Sequence, residues 1–99
     1  MGINMKQAYF VGQITVKNEE KWASYRSQVP ATLAPWHAEL MFRGKQPHAQ
    51  SNASPHLDIV VIRFPSLADA EGWHNSDAYR ALIPLRQEAA DVVGTIYED

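Results

Sequence analysis

Arg86 stands where an apolar side chain belongs. It follows Tyr79 by seven residues, on the same helical stripe as Leu82 and Ala90. A guanidinium carried into a packed face requires a carboxylate, a set of carbonyls or an anionic ligand. Glu39, Asp69 and Glu88 are the candidates for a structural ion pair, and anion binding is the alternative. Arg43 closes an apolar run beside Gly44, and if it shared a pocket with Arg86 the two would suit a carboxylate or enolate. His37 and Glu39 are two apart, so in a strand they share a face and become the candidate catalytic pair for proton transfer. His48 and His56 extend that set toward metal binding, but the spacing matches no ligand motif and no metal site is expected. Tyr25, Trp73 and Tyr79 complete the candidate ligand-binding set with Arg43 and Arg86. Large aromatics on helix faces fill a core, or they line a cleft for a small aromatic ligand.

The composition narrows the classes. Ninety-nine residues make one domain (residues 1–99) with a single core, and 45% hydrophobic with 20% charged residues is ordinary globular content. A net charge of -2, with nine Lys and Arg scattered along the chain, argues against nucleic acid. The absence of cysteine excludes disulfides, thiolate nucleophiles and cysteine-based zinc sites. The first six residues hold no apolar leader, Lys6 stands where a myristoylation signal needs Ser or Thr, and no apolar run reaches membrane-spanning length. A cytoplasmic protein with no cofactor is the expectation.

The elements that position those residues follow from periodicity. Residues 57–64 (LDIVVIRF) form a central strand with apolar residues on both faces, Val60, Ile62 and Phe64 against Leu57, Ile59 and Val61. Residues 8–16 form a first strand whose Ala8, Phe10, Gly12, Ile14 and Val16 share the helix-covered face; Gly12 leaves packing room there. Asn18 caps a helix carrying Trp22, Tyr25, Val29, Leu33 and Trp36, with a kink or restart at 28–31 caused by Pro30 and an end at Pro35. Residues 39–43, with a start as early as His37, give a second strand, and 44–56 a polar, exposed loop. Ser66 caps a short helix ending near Asn75. Ser76 caps another, distorted by Pro84 and closed by Gly94, before a last strand at 95–98. Strand, helix, strand, strand, helix in two pieces, strand is the ferredoxin-like βαββαβ order of an α+β fold, a four-stranded antiparallel sheet with helices on one face. The open face then carries Tyr9, Val11, Leu57, Ile59 and Val61, and a second copy of the chain is its expected cover.

Phe64-Pro65-Ser66, the alanine-rich helix with Trp73, Ser76-Asp77-Ala78-Tyr79 and Arg86 resemble a bacterial family of unknown function, DUF1330. Val29-Pro30-Ala31, Leu33-Ala34 and Arg43-Gly44 add to the resemblance, which spans residues 9–96. It implies the dimeric α+β barrel superfamily and a face-to-face homodimer, without a known activity. Superfamily relatives use the cleft between helices and sheet for cofactor-free oxygenation, isomerisation or haem breakdown. Where the family usually has two glycines before its second strand, this chain has Trp36-His37-Ala38-Glu39. The hairpin loop has His48-Ala49-Gln50-Ser51-Asn52 in place of an acidic residue and glycine. The expected function is a homodimeric small-molecule-binding protein, or a cofactor-independent enzyme of isomerase or monooxygenase type, for a small anionic or aromatic metabolite. The alternative is a non-catalytic binding or assembly module whose specific surface is the dimer interface.

Overall fold

The computed structural model describes residues 6–48 and 55–99. Strand β1 (Ala8–Val16) leads to helix α1 (Glu19–Leu33) and a 3-10 turn (Ala34–Trp36). Strands β2 (Glu39–Lys45) and β3 (Asp58–Phe64) follow, then helices α2 (Leu67–His74), α3 (Asp77–Arg80) and α4 (Ile83–Ala89), and strand β4 (Ala90–Glu98). The sheet runs β2-β3-β1-β4 with every pairing antiparallel; α1 and α4 pack together, and α2 lies against β1, β3 and β4 on the same face. Among the described residues no helix is long and apolar enough to cross a membrane.

Local chemistry explains the helix starts. Asn18 accepts a hydrogen bond from the Lys21 N–H at 2.9 Å, with Glu19 and Glu20 in the positive first turn. Ser66 accepts from the Asp69 N–H at 3.1 Å, and Ser76 from the Tyr79 N–H at 3.2 Å. Ser76 also donates to the Trp73 carbonyl at 2.7 Å, tying the end of α2 to the start of α3.

The prolines and one glycine act differently from the sequence expectation. Pro30 lies inside α1 without dividing it. Its missing N–H falls in the last turn, where the Ala34 N–H still reaches the Pro30 carbonyl. Pro84 starts α4 rather than bending a longer helix, because a first-turn residue has no intrahelical N–H bond to lose. Gly94 is no helix cap: the chain is already extended from Ala90, and Gly94 stands opposite Gly12 in the β1–β4 register. The two glycines make room for the Phe10 ring, since a Cβ on Gly94 would lie 2.6 Å from Phe10 Cζ. The loop expected at 44–56 is shorter at its start, because β2 continues to Lys45; residues 49–54 lie outside the described residues. Its two ends meet where the Gln46 N–H donates to the Leu57 carbonyl at 2.8 Å.

The buried core lies between the helices and the sheet, around Phe10, Ile14, Ile62, Phe64, Trp73 and Tyr79. On the other face Phe42, Val93 and Tyr97 are more than half exposed, beside the half-buried Val11, Ile59 and Val61. Gly94→Ala is expected to cost about 1–3 kcal/mol through overpacking against Phe10. Urea denaturation reads this cost, and adding Phe10→Leu should recover part of it.

Candidate functional site

A β-bulge in β2 decides which side chains reach the helix side of the sheet. Leu40 faces Ile62 and Phe42 faces Val61, so Met41 is one residue too many for the ladder. A strict alternation would put Leu40 and Phe42 on one face. The bulge sends Phe42 to the open face and turns Arg43, opposite Val60, toward the helices.

There Arg43 meets a cavity of about 320 Å³ between α1 and the sheet. Phe10, Ile14, Val60 and Ile62 floor it, Trp22, Tyr25, Val29 and Leu33 roof it, and Trp73 and Tyr79 close one end. Arg26, one turn after Trp22 on α1, is the second cation in the wall. Arg26 and Arg43 are exposed and also border a shallow surface depression with Ala23 and Ser27, which places them at the rim. Among the described residues no carboxylate lies within ion-pair distance of either one. Burial, and then the charge of Arg26, lower the Arg43 pKa from its ordinary value. No carboxylate or imidazole lines this cavity among the described residues.

Three polar groups chain together at the inner end. Arg86 Nη1 donates to the Tyr79 hydroxyl at 2.8 Å, and the Tyr79 and Tyr25 hydroxyls lie 2.8 Å apart. Burial, and next the neighbouring Tyr79, push the Tyr25 phenol far above its ordinary range, so it stays protonated at any physiological pH. Trp73 donates from Nε1 to Thr32 Oγ1 at 3.0 Å, and Thr32 donates to the Val29 carbonyl at 2.6 Å.

The structure thus gathers Tyr25, Arg43, Trp73 and Tyr79 around one cavity, with Arg86 reaching it through the Tyr79 hydroxyl. None of Glu39, Asp69 and Glu88 pairs with Arg86; Glu88 instead pairs with Lys21 at 2.6 Å. His37 and Glu39 are not brought to the cavity. His37 precedes β2 and ends the 3-10 turn at φ 56°, in the left-handed region, so the two do not share a strand face. Glu39 opposes and pairs with Arg63 on the open face of the sheet. His56 meets Thr15 Oγ1 through Nδ1 at 2.7 Å. Arg26 and Thr32 were missed by sequence reasoning. Arg26 carries a signal, because it falls four residues after Trp22 and three before Val29 on the same helix.

A four-stranded antiparallel sheet covered on one face by helices is a ferredoxin-like α+β fold. The chain belongs to the family described as Domain of unknown function (DUF1330), which it matches over residues 7–99. No curated protein matches it in sequence. Among solved structures it is similar to a hydroxynitrile lyase from Passiflora edulis, with 12% identity and TM-score 0.76 over 96% of this chain and 94% of that one. It is similar to SnoaB, a cofactor-independent oxygenase from Streptomyces nogalater, with 10% identity and TM-score 0.66 over 93% and 91% of the two chains. A dimeric ferredoxin-like protein of unknown function from Thermobifida fusca matches with 8% identity and TM-score 0.64 over 98% and 94%. At such identities the likeness is one of fold.

His74 lies behind the inner end, its ring 5.7 Å from that of Tyr79 and 6.1 Å from that of Phe10. Burial, and then the charges of Arg86 and Arg80, hold its imidazole below the ordinary 6.5. The unfolded chain therefore takes up the proton more readily, so the stability His74 contributes is present above pH 6.5 and is lost as the pH falls through the folded-state value. Urea titrations across that range should show wild type losing its margin over His74→Gln on acidification; a constant difference would contradict this.

Proposed function

We propose that the chain is a homodimeric small-molecule-binding protein whose cavity takes a compact ligand with an apolar or aromatic body and an anionic group. The observation that carries this reading is the pair Arg26 and Arg43, without carboxylate partners among the described residues, at the rim of an aromatic cavity. A cation beside an apolar wall gains most from an anion whose body fills the space behind it. Tyr25, Trp73 and Tyr79 supply the aromatic surface, and Arg86 holds Tyr79 in place.

With no carboxylate or imidazole in the wall among the described residues, a reaction here would draw on the arginines, the tyrosine hydroxyls and the ligand's own reactivity. That is the setting for a cofactor-independent isomerase or monooxygenase-like step, and the oxygenase and lyase among the structural neighbours support this enzyme reading by analogy of fold. His37 and Glu39 keep a catalytic role only if assembly or ligand binding brings them to the cavity.

The open sheet face supports the second half of the proposal. Phe42, Val93 and Tyr97 expose more than half their surface beside Val11, Ile59 and Val61. An apolar patch of this extent on a small domain calls for a cover. A second copy related by a two-fold axis provides a matching one, with the Glu39–Arg63 pair repeated at the seam. The dimeric neighbour from Thermobifida fusca supports the same arrangement.

Two measurements test these statements. In sedimentation velocity the wild type should run as a dimer and Phe42→Asp as a folded monomer. A monomeric wild type at high concentration would end the assembly reading. For the cavity, 2-naphthoate should quench the fluorescence of Trp22 and Trp73 and raise the melting temperature. Arg26→Gln with Arg43→Gln should weaken its binding roughly tenfold or more, about the effect of one lost charge-assisted contact. If 2-naphthamide binds as well as 2-naphthoate, the anion requirement is wrong.

A further inference from the structure

The hydrogen-bond chain at the inner end of the cavity has one proton too many. Arg86 can only donate, and it occupies one lone pair of the Tyr79 oxygen at 2.8 Å. Of the two phenolic protons, one joins the Tyr25 and Tyr79 oxygens across 2.8 Å. The other has no acceptor among the described residues, because apart from each other the two oxygens meet only Arg86, a pure donor whose guanidinium also lies within hydrogen-bond reach of Tyr25. A phenol that accepts from a guanidinium becomes a stronger donor, so the chain runs from Arg86 to Tyr79 to Tyr25. The spare proton is then on Tyr25, the less buried ring of the two, at 8% exposure against 1% for Tyr79. Both rings line the cavity.

We propose that the Tyr25 hydroxyl, polarised by Arg86 through Tyr79, is the donor that holds an oxygen acceptor of the ligand, which makes the ligand class a phenolate, an enolate or a conjugated carbonyl. This inference rests on the cavity being a ligand site and adds the chemistry of its inner end. Tyr25 touches the ligand oxygen, and Arg86 is a positioning residue that acts through Tyr79. A donor of this kind binds a developing oxyanion better than the neutral oxygen it comes from, because the hydrogen bond strengthens as charge grows. With Arg26 and Arg43 at the rim, the cavity therefore suits a ring or short conjugated system bearing an acceptor oxygen at its inner end and an anionic group at the other. The raised ionisation of Tyr25 agrees with this role, since it keeps the proton in place for donation.

The test uses 4-nitrophenol, whose phenolate absorbs visible light, and 4-nitroanisole, which has the same ring but no acidic proton. Binding of each is followed by quenching of Trp22 and Trp73 fluorescence, and the ionisation of bound nitrophenol by its absorbance across pH. The wild type should bind the phenolate about tenfold tighter than the phenol, lowering the bound titration midpoint by about one unit. Tyr25→Phe should return the midpoint to the free value while nitroanisole still binds. Arg86→Gln, a change at a half-buried position, should undo part of the shift and covers the case in which Tyr25→Phe fails to fold. A wild-type midpoint that is unchanged or raised, or a lowered one that neither substitution diminishes, overturns the inference but leaves the cavity a ligand site. Absence of quenching by both probes would remove the binding reading and this inference with it.

Discussion

The Trp73 indole has two demands, to leave water and to keep its N–H bonded, and meeting both fixes how the helices sit on the sheet. The ring is 1% exposed, 5.3 Å edge-on from Phe10 of β1, 5.5 Å from Phe64 of β3 and 4.2 Å from Tyr79 of α3. Its N–H reaches across to Thr32 near the end of α1. An apolar residue at position 32 would leave the buried indole N–H unsatisfied, which costs roughly 1–3 kcal/mol. This contact holds the C-terminal half of α1 to α2. The remainder of α1 faces the sheet across the cavity, with Trp22 and Tyr25 stacked at 5.1 Å in its roof.

The cavity's polarity follows from the same scaffold. Everything deep in it is aromatic, aliphatic or phenolic, and the cations stand at the rim where water solvates them. Arg86 is half-buried and satisfied by a neutral oxygen rather than a carboxylate. A carboxylate partner would have neutralised the charge; a phenol passes its influence on to the next hydroxyl.

Much of this was legible in the residues. Asn18, Ser66 and Ser76 mark their helix starts because a side-chain oxygen three residues before an N–H is a local matter. The alternation in β1 and β3 showed which residues meet the helices. Tyr25, Trp73 and Tyr79 were recognisable because large aromatics on a helix stripe converge wherever the helices do. Other features depended on non-local pairing. Ala89, Ala90 and Val93 fit a helical period as well as an extended one, and only the pairing of β4 along the whole of β1 makes the chain extended from Ala90. His37 reads as part of a strand because nothing in its neighbours signals a positive φ. The structure places it in the left-handed region. Arg86 reads as a cation in need of a carboxylate, carbonyls or an anion, and the structure gives it a tyrosine hydroxyl instead, an acceptor its sequence neighbours do not signal.

The bulge at Met41 ties two surfaces to one backbone irregularity. Because β2 is an edge strand, paired only with β3, it tolerates a change in length that an interior strand would resist. Pairing Met41 into the ladder, with no residue lost, would put Phe42 on the helix side and Arg43 on the open face, stripping the cavity of a cation. The rim of the cavity and the exposed sheet face therefore cannot change independently along the edge strand: one slip of register would recast both together.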